Sequence, residues 1–583
     1  MRRLALLLLV LAIAAPWPDA RAYYEEVPPE PARHAVRFTE YAVAADSPLA
    51  SLAGAEILAQ GGNAADAVVA TALALGVVSP ASSGLGGGGF ALYYRASDRS
   101  VTFVDFREEA PAAATPDMFA RRDGNTDQVA QQRSQVGGLA VGVPGEPLGL
   151  ETLLTRFGSG RVQRRRIAEP AARLAQEGWP ASRYTSMYSG FTAATMRDDR
   201  VLGAFFPPGA AQITAGDTLH NAALARTIRS FGAQGSAPFY RGAIARSIVR
   251  EVGRRGGSIT LADLAAYRVV ERTPLEGERF GRRWVVAPPP SAGGFTMLES
   301  LGLLERWLPH PREGARFRHA LAESWKGGFR DRALYAGDPD HVSVPVDRML
   351  EPTRLDMRAL RFDRFAARAM SDYDVPGESF GDVDAMPRDQ GTSHVCVVDR
   401  EGNVMSLTTT VNLPFGARFT VEGMVMNDEM DDFARELGAA NAFGLPGGGA
   451  NLPGPGRRPV STMSPTIVFE GDRPILCVGG SGGSRIVTAA EQVAIFQLLL
   501  GDDAGAAVVR PRIHHQGMPA TLSYEANLDP RIVSGLVVRG HQVASVETSA
   551  NVQTIRIHRD ADGAITSLDA ASDLRKDGAP AGH

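Results

Sequence analysis

The sequence predicts a layered α/β fold, with sheets at the centre and helices packed outside them. Residues 46–80 have the composition of apolar helices, and residues from about 145 to 375 follow a mostly helical pattern. After Thr392, short apolar and alternating runs replace that pattern. Helices followed by strands favour a layered architecture over a bundle or a pure sandwich. A chain of 583 residues exceeds one ordinary core, so we expect two lobes or one elaborated domain.

The first part of the chain is predicted to hold two helices and a strand pair. Residues 61–63, Gly-Gly-Asn, separate the helices, and the second helix, residues 66–78, is apolar nearly all round. It should therefore be buried. The glycine tract 84–89 runs into a strand rather than a helix, which indicates close backbone packing and not a nucleotide site. We expect strands at residues 90–94 and 101–106.

The last part of the chain is predicted to be strands around one helix, residues 486–500. We expect strands at residues 393–398, 404–411, 419–427, 465–469 and 474–479 and, in pieces, over 532–557. Cys396 and Cys477 each lie in an apolar strand-like run, and two cysteines make no disulfide framework. Buried free thiols are therefore favoured over a bridge between them.

Composition disfavours several classes of ligand. The net charge is -4 and only 7% of residues are aromatic, so nucleic acid is an unlikely partner. The basic run 161–166 is expected to be solvated surface. No cysteines and histidines are spaced as metal ligands, and we place His514-His515 at the surface or in a loop. We expect neither a metal nor a cofactor.

Residues 1–22 have the pattern of a cleavable targeting segment. Arg2-Arg3 precedes an apolar run from Leu4 to Ala15, and Ala20-Arg21-Ala22 matches a small-residue cleavage site. That run is shorter than the roughly 20 residues that a bilayer requires. The sequence therefore predicts a protein cut near Ala22, without a membrane span in its mature form, and either periplasmic or secreted.

A junction at Gly391-Thr392 joins a Pro/Gly/Asp-rich stretch to the apolar run 395–398. Cutting the chain after Gly391 would give Thr392 a free amine beside its own hydroxyl. That pair supplies a nucleophile and its general base in one residue. An ordinary loop-to-strand junction has the same local pattern, so the rest of the chain must decide.

An arginine lies at the end of the strand predicted for residues 101–106. The planar fork of Arg107 suits a carboxylate of a substrate. A surface salt bridge with Glu108 or Glu109 fits the local sequence as well.

Residues near the end of a later strand carry hydroxyls and acids. Alternation puts Thr408, Thr410 and Asn412 on one strand face, where a hydroxyl could orient that of Thr392. Candidates to receive a substrate ammonium are Asn412, Glu429 and Asp432. A solvated acidic turn remains the alternative.

Two further segments offer hydroxyl and amide groups. Ser461-Thr462 is held between prolines, and its hydroxyls could bond a carboxylate or simply satisfy a turn. Gly482-Gly483 lies in a strand–glycine turn–helix element, whose backbone N–H groups can hold an anion.

Taken together, these segments resemble the γ-glutamyltranspeptidase (glutathione hydrolase) family of N-terminal-nucleophile hydrolases. The resemblance runs from Ala44 to the C-terminus. The motifs outside the segments above that carry it are residues 61–67, 82–90, 105–108, 257–264, 287–291, 331–333 and 337–339.

The resemblance implies a four-layer αββα fold and a precursor that cuts itself between Gly391 and Thr392. A large chain of residues 23–391 and a small chain of residues 392–583 would remain associated as a heterodimer. It also implies that the donor is glutathione or another γ-glutamyl compound, and that the acceptor is water, an amino acid or a dipeptide.

Site roles follow from matching positions. Thr392 would attack the γ-amide carbon with Thr410 in support, and the amides of Gly482 and Gly483 would hold the oxyanion. Phe443 falls in the active-site lid, residues 438–456, which is otherwise simply a flexible loop. The resemblance assigns the donor carboxylate to Arg107, Ser461 and Thr462, and the donor amine to Asn412, Glu429 and Asp432.

Several positions depart from the pattern of the family. Thr462 replaces a second serine, Asp428 a second asparagine, and Phe443 a tyrosine seen in some relatives. Arg418 brings bulk and charge near the expected donor pocket. These changes bear on donor and acceptor preference rather than on the nucleophile.

Two other functions fit parts of the sequence. An acylase of the same fold could act on a glutaryl-β-lactam, but such a donor lacks the amine that Glu429 and Asp432 would bind. An uncleaved homologue could bind glutamate-like ligands without turnover. The presence of Thr392, Thr410 and the Gly482-Gly483 pair argues against it.

Overall fold

Two seven-stranded sheets form the centre of the molecule. The computed structural model describes residues 34–120, 132–373, 391–437 and 441–583, so the expected targeting segment 1–22 lies outside the described residues. In chain order the strands are β1 (Ala35–Phe38), β2 (Ala42–Ala45), β3 (Gly88–Arg95), β4 (Ser100–Phe106), β5 (Trp179–Pro180), β6 (Thr218–Leu219), β7 (Val270–Arg272), β8 (Leu275–Arg279), β9 (Arg282–Val286), β10 (Ser393–Val398), β11 (Val404–Thr410), β12 (Thr420–Val421), β13 (Met424–Val425), β14 (Thr466–Glu470), β15 (Arg473–Ser481), β16 (Ile513–His514), β17 (Thr521–Glu525), β18 (Gln542–Val546), β19 (Asn551–Arg559), β20 (Ile565–Ser572) and β21 (Ala581–Gly582).

The helices lie mostly in the first two thirds of the chain. They are α1 (Pro48–Ala59), α2 (Ala64–Val78), α3 (Glu146–Phe157), α4 (Arg164–Glu177), α5 (Arg183–Met196), α6 (Arg200–Gly203), α7 (Ala222–Gln234), α8 (Ala237–Tyr240), α9 (Ala243–Arg254), α10 (Leu261–Ala266), α11 (Gly293–Trp307), α12 (Ala315–Tyr335), α13 (Val346–Met349), α14 (Pro352–Ala359), α15 (Arg485–Leu498), α16 (Ala504–Val509) and α17 (Pro530–Val538).

Both central sheets are antiparallel. One has the order β21-β2-β10-β11-β3-β4-β7, and the other has the order β1-β20-β19-β15-β14-β9-β8. Their facing surfaces share a core that includes Phe90, Val398, Ile467 and Ile555. The outer face of the first sheet packs with α2 and its neighbours, and that of the second packs with α11, α12 and α15. The predicted four-layer αββα fold is confirmed.

The buried helix α2 begins at a capping box. The Asn63 side chain accepts hydrogen bonds from the N–H groups of Ala65 and Asp66, and the Asp66 carboxylate accepts one from the N–H of Asn63. These bonds satisfy orphan donors at the helix start. The Gly-Gly-Asn interruption is thus the boundary between α1 and α2, as predicted.

The glycine tract before β3 lies against other backbone. A Cβ on Gly86 would lie 2.0 Å from the carbonyl oxygen of Val425, and one on Gly87 would lie 1.9 Å from that of Thr410. Close packing, rather than a phosphate loop, is the observed role of these residues.

Both sheets mix strands from either side of Gly391-Thr392. Within the described residues, five ladders cross that point: β2 with β10, β2 with β21, β3 with β11, β9 with β14 and β1 with β20. The segments before and after the junction therefore build each sheet jointly.

The prediction of free thiols was wrong. Cys396 on β10 and Cys477 on β15 form a disulfide between the two sheets, with their Cα atoms 6.0 Å apart. The sequence places both in apolar strands but does not show that these strands face each other, which brings their Cα atoms into the usual range for a bridge.

Three other sequence-based predictions also need correction. Residues 530–538 form helix α17 rather than a strand, and residues 419–427 hold only the two-residue strands β12 and β13. His514 and His515 are buried, not surface groups. Burial lowers the pKa of His514 to about 3 and that of His515 well below its ordinary value, so both rings are neutral. No helix among the described residues has the length and apolar character that a membrane crossing requires.

Candidate active site

Thr392 lies at the buried start of β10, in a backbone conformation that few threonines adopt. Its φ is 67° and that of Gly391 is 72°. A β-branched residue with positive φ is an outlier, and such strain costs about 1–3 kcal/mol. A Cβ on Gly391 would lie 1.5 Å from the carbonyl oxygen of Asn412, so only glycine fits there.

The hydroxyl of Thr392 contacts a second hydroxyl from the neighbouring strand. Its Oγ1 lies 3.1 Å from Oγ1 of Thr410, the last residue of β11. Oγ1 of Thr410 also accepts the N–H of Asn412 at 2.8 Å. Thr410 is thereby fixed on the side of β11 that faces Thr392.

The backbone of Thr392 is held at both ends. Its N–H donates to the carbonyl oxygen of Ser82 at 3.1 Å. Its carbonyl oxygen accepts a hydrogen bond from Nζ of Lys576, which also pairs with Asp46 at 2.8 Å and lies 3.4 Å from the hydroxyl of Ser481. Lys576 thus links Thr392 to the strand that leads into Gly482.

Next to Thr408, a buried histidine fills the space between the sheets. Nδ1 of His394 lies 2.9 Å from Oγ1 of Thr408, and a Cβ on Gly479 would lie 2.2 Å from the ring. Burial lowers the pKa of His394 to about 3, so the ring is neutral. Thr408 and Thr410 share a face, whereas Asn412, with φ of 73°, lies in the turn after the strand.

Arg107 is buried and pairs with two of the predicted ammonium-binding acids. Its guanidinium donates to the carboxylates of Glu429 and Asp432, and its Nε donates to the carbonyl oxygen of Pro459 at 3.3 Å. The alternative of a surface salt bridge is therefore wrong. Glu109 instead pairs with Arg458 at 2.8 Å.

This cluster places three carboxyl groups around one guanidinium. Burial would lower the pKa of Arg107, but Glu429 and Asp432 raise it above its ordinary value, so the cation persists. Burial raises the pKa of Glu108, 3.9 Å from the guanidinium, to about 8. Burial likewise raises the pKa of Glu429 and that of Asp432, and Arg107 opposes the rise in both.

Asn412 and Asp432 extend this cluster. Nδ2 of Asn412 donates to the carbonyl oxygen of Asp428 at 3.0 Å, beside the turn that carries Glu429. Nδ2 of Asn441 donates to the Asp432 carboxylate at 3.3 Å. The acids are thus held from two sides, by Arg107 and by the start of the expected lid.

The glycine turn between β15 and α15 contacts the Ser461-Thr462 segment. Gly482 and Gly483 have φ of 135° and 58°, and the carbonyl oxygen of Gly483 accepts the hydroxyl of Thr462 at 2.8 Å. The hydroxyl of Ser461 accepts the N–H of Met463 at 3.1 Å. The Thr462 hydroxyl therefore holds the glycine turn, whereas that of Ser461 holds its own segment.

Phe443 packs directly on that turn. A Cβ on Gly483 would lie 2.3 Å from the ring of Phe443, which is buried. Gln516 holds the segment by donating to the carbonyl oxygens of Phe443 and Gly444 at 3.3 and 3.0 Å. Of the expected lid, residues 438–440 lie outside the described residues.

Arg418 is buried, and its side chain contacts the loop that carries it. Its guanidinium donates to the carbonyl oxygens of Pro414 and Gly416. Burial lowers the pKa of Arg418, an effect that Asp428 opposes. Burial likewise raises the pKa of Asp428, and Arg418 opposes that rise. The two departures from the family pattern are therefore electrostatic neighbours.

Several residues around the junction were not found from the sequence. Ser82, Asp46 and Lys576 contact Thr392 or its partners, and Tyr184 accepts the N–H of Gly391. Ser82 lies in segment 82–90, one of the motifs that carry the family resemblance. The others are ordinary residues in their local context.

The described residues also bring together one group that resembles a metal site. His319, Glu323 and His541 are buried, with candidate ligand atoms within 4.8 Å of one another. Nζ of Lys326 already lies 2.6 Å from the Glu323 carboxylate. An ammonium therefore supplies the cation that this acid pairs with.

Comparison with known families gives a match along most of the chain. The family model described as Gamma-glutamyltranspeptidase matches residues 50–583. A glutathione hydrolase proenzyme of Escherichia coli (strain K12) is 35% identical over 93% of this chain and 91% of its own length. Glutathione hydrolase 2 of Arabidopsis thaliana is 35% identical over 93% of each chain.

Solved structures give the same fold. A cephalosporin acylase from Bacillus halodurans aligns with a TM-score of 0.81 at 26% identity, covering 96% of this chain and 98% of that one. A γ-glutamyltranspeptidase from Pseudomonas nitroreducens, complexed with L-DON, aligns with a TM-score of 0.51 at 32% identity. It covers 56% of this chain, and 95% of its own length is aligned.

Proposed function

Because the chain belongs to the γ-glutamyltranspeptidase family, we propose that it releases γ-glutamyl groups from compounds such as glutathione. The acceptor is water, an amino acid or a dipeptide. The observation that carries this proposal is the Thr392–Thr410 hydroxyl pair, at a junction where positive φ values precede a buried strand.

The active protein would arise by cleavage between Gly391 and Thr392. Chains of residues 23–391 and 392–583 would stay together, because each central sheet takes strands from both. The apolar run and cleavage pattern in residues 1–22 support export to the periplasm or the medium.

In the mature protein, the Thr392 hydroxyl attacks the γ-carbonyl carbon of the donor. The amine of Thr392 takes the hydroxyl proton; an α-amine has an ordinary pKa of about 7.7–8.0, so part of it is neutral near that pH. The amides of Gly482 and Gly483 stabilise the oxyanion. When the tetrahedral intermediate collapses, the amide C–N bond breaks and the leaving amine takes the proton from the Thr392 amine. The γ-glutamyl ester on Thr392 is then cleaved by water or by the acceptor amine.

Donor binding would rearrange the Arg107 cluster. A γ-glutamyl group carries one carboxylate and one ammonium, which match the guanidinium of Arg107 and the acids Glu429 and Asp432. The donor carboxylate can replace the acids as the partner of Arg107, and the donor ammonium can replace Arg107 as the partner of the acids. Thr462 and Ser461 would add hydroxyls to the carboxylate side, and Phe443 would cover the site.

An acylase acting on a glutaryl donor is the second candidate, supported by the fold match to the cephalosporin acylase. A glutaryl group brings a carboxylate but no ammonium. It would take Arg107 from Glu429 and Asp432, and these two buried acids would lose their ion-pair partner, which is costly.

The test is hydrolysis of a γ-glutamyl anilide against a glutaryl anilide by the purified protein and by Thr392→Ala. We expect turnover of the first substrate only, and a Thr392→Ala chain that is neither cleaved nor active. Ser406→Ala, which removes another buried hydroxyl near the sheet centre, is the matched control and should be cleaved. A cleaved, active Thr392→Ala protein would refute the mechanism, and preference for the glutaryl anilide would favour the acylase.

A further inference from the structure

A tyrosine from the helical layer reaches the residue that precedes Thr392. Oη of Tyr184 accepts the N–H of Gly391 at 2.9 Å. Tyr184 lies in the first turn of α5, whose start is capped by Ser182 through the N–H of Thr185 at 3.0 Å. The phenol is therefore carried on a fixed helix end.

The ring of Tyr184 is itself oriented by Lys576. Nζ of Lys576 lies 4.6 Å from the centroid of the ring, within the range of a cation–π contact. The same ammonium binds the carbonyl oxygen of Thr392 and the carboxylate of Asp46. One connected group therefore holds Gly391 on one side of the bond to be cut and Thr392 on the other.

This arrangement matters because of the chemistry of the first step. The Oγ1 of Thr392 forms a bond to the carbonyl carbon of Gly391, the hydroxyl proton passes to the Thr392 nitrogen, and the C–N bond breaks. Water then hydrolyses the ester, which leaves a carboxylate on Gly391 and restores the hydroxyl. A glycine turns easily about φ, so the attacked carbon stays in place only if Gly391 is held.

We propose that Tyr184 is a positioning residue for self-cleavage, acting through the N–H of Gly391. The inference rests on the proposed function, because it assumes cleavage after Gly391. After cleavage Gly391 is the last residue of the large chain and takes no part in turnover. Loss of the Tyr184 hydroxyl should therefore slow self-cleavage without changing turnover by the cleaved enzyme.

The experiment compares Tyr184→Phe with Tyr188→Phe in the full-length chain. Tyr188 lies one turn further along α5, with its ring centroid 4.5 Å from that of Tyr184, so its variant also removes a phenol from this helix. Cleavage of precursor made by cell-free synthesis is followed by intact mass under denaturing conditions. The fully cleaved proteins are then assayed with γ-glutamyl anilide.

We expect Tyr184→Phe to slow cleavage about tenfold and to leave kcat/KM of the cleaved enzyme unchanged. Tyr188→Phe should match the wild type in both. Equal cleavage rates in all three proteins would overturn the inference, and so would an equal loss of cleavage and turnover, which indicates a merely structural role. A wild-type chain that is not cut after Gly391 would instead refute the proposed function.

Discussion

At the scale of single residues, Arg107 shows how a binding site can satisfy its own charges. A buried guanidinium without a partner is costly, and Glu429 and Asp432 supply that partner. A ligand with both charges can replace this pair without leaving either side unpaired. The cluster therefore supports our proposal that the site selects a zwitterionic group.

We expect Arg107→Ala to raise the KM for a γ-glutamyl anilide by about 10- to 100-fold, because a charge-assisted hydrogen bond to the donor carboxylate is lost. Precursor cleavage, which does not involve the donor, should proceed. Arg161→Ala, which removes an exposed arginine paired with Glu401, is the control and should leave KM unchanged. KM is measured by steady-state kinetics. An unchanged KM for Arg107→Ala would show that Arg107 does not bind the donor carboxylate.

At the scale of elements, the turn between β15 and α15 combines two constraints. The φ of Gly483 is positive, which favours glycine because other residues are strained there. The ring of Phe443 also leaves no room for a Cβ at this position. Removing the ring should relieve only the second constraint. The two can therefore be separated by mutation.

Gly483→Ala keeps the backbone N–H but should displace it, because the Cβ meets the ring of Phe443. We expect kcat to fall by about 100-fold, as when an oxyanion donor is lost. Gly501→Ala is the matched control, because its φ is 83° but a Cβ would meet nothing within 4 Å. Adding Phe443→Ala to Gly483→Ala should restore part of the rate if crowding displaces the turn. A Gly483→Ala enzyme with normal kcat would exclude this turn as the oxyanion site.

How far elements could be predicted depended on local signals. Strands β10 and β11 and helix α15 were found because apolar runs and a glycine turn mark them. Helix α17 was missed because its Val-rich run also suits a strand. Two features at its start favour a helix: Pro530 is its first residue, and the Asp529 side chain accepts the N–H of Arg531.

At the scale of the whole molecule, predictability fell where contacts join distant parts of the chain. Residue type and position make Thr392, Arg107 and Glu429 candidates, and the family resemblance supplies the roles that we propose for them. Lys576 and Tyr184 could not be found, since each reaches the junction only through the packing of layers. The disulfide was missed for the same reason.

The bridge between Cys396 and Cys477 joins the two central sheets across 81 residues of sequence. In the uncleaved Thr392→Ala chain, replacing both cysteines by alanine should lower the free energy of unfolding by about 2–4 kcal/mol, mostly through the unfolded chain. Denaturant unfolding with and without a reductant measures it, and the reductant should affect only the chain that keeps both cysteines. Free thiols found by alkylation of the unreduced, denatured protein would contradict the bridge.

Because ladders between described strands cross the Gly391-Thr392 junction, the cleavage that we propose there would prevent the protein from folding a second time as one chain. The precursor assembles both sheets within one chain, as a first-order event independent of concentration. Once the chain is cut, unfolding releases two fragments that each lack strands of both sheets. Their return is a second-order encounter between partners that cannot complete a core alone. The covalent link in the uncut chain thus allows both sheets to form, and unfolding of the cleaved protein should be nearly irreversible.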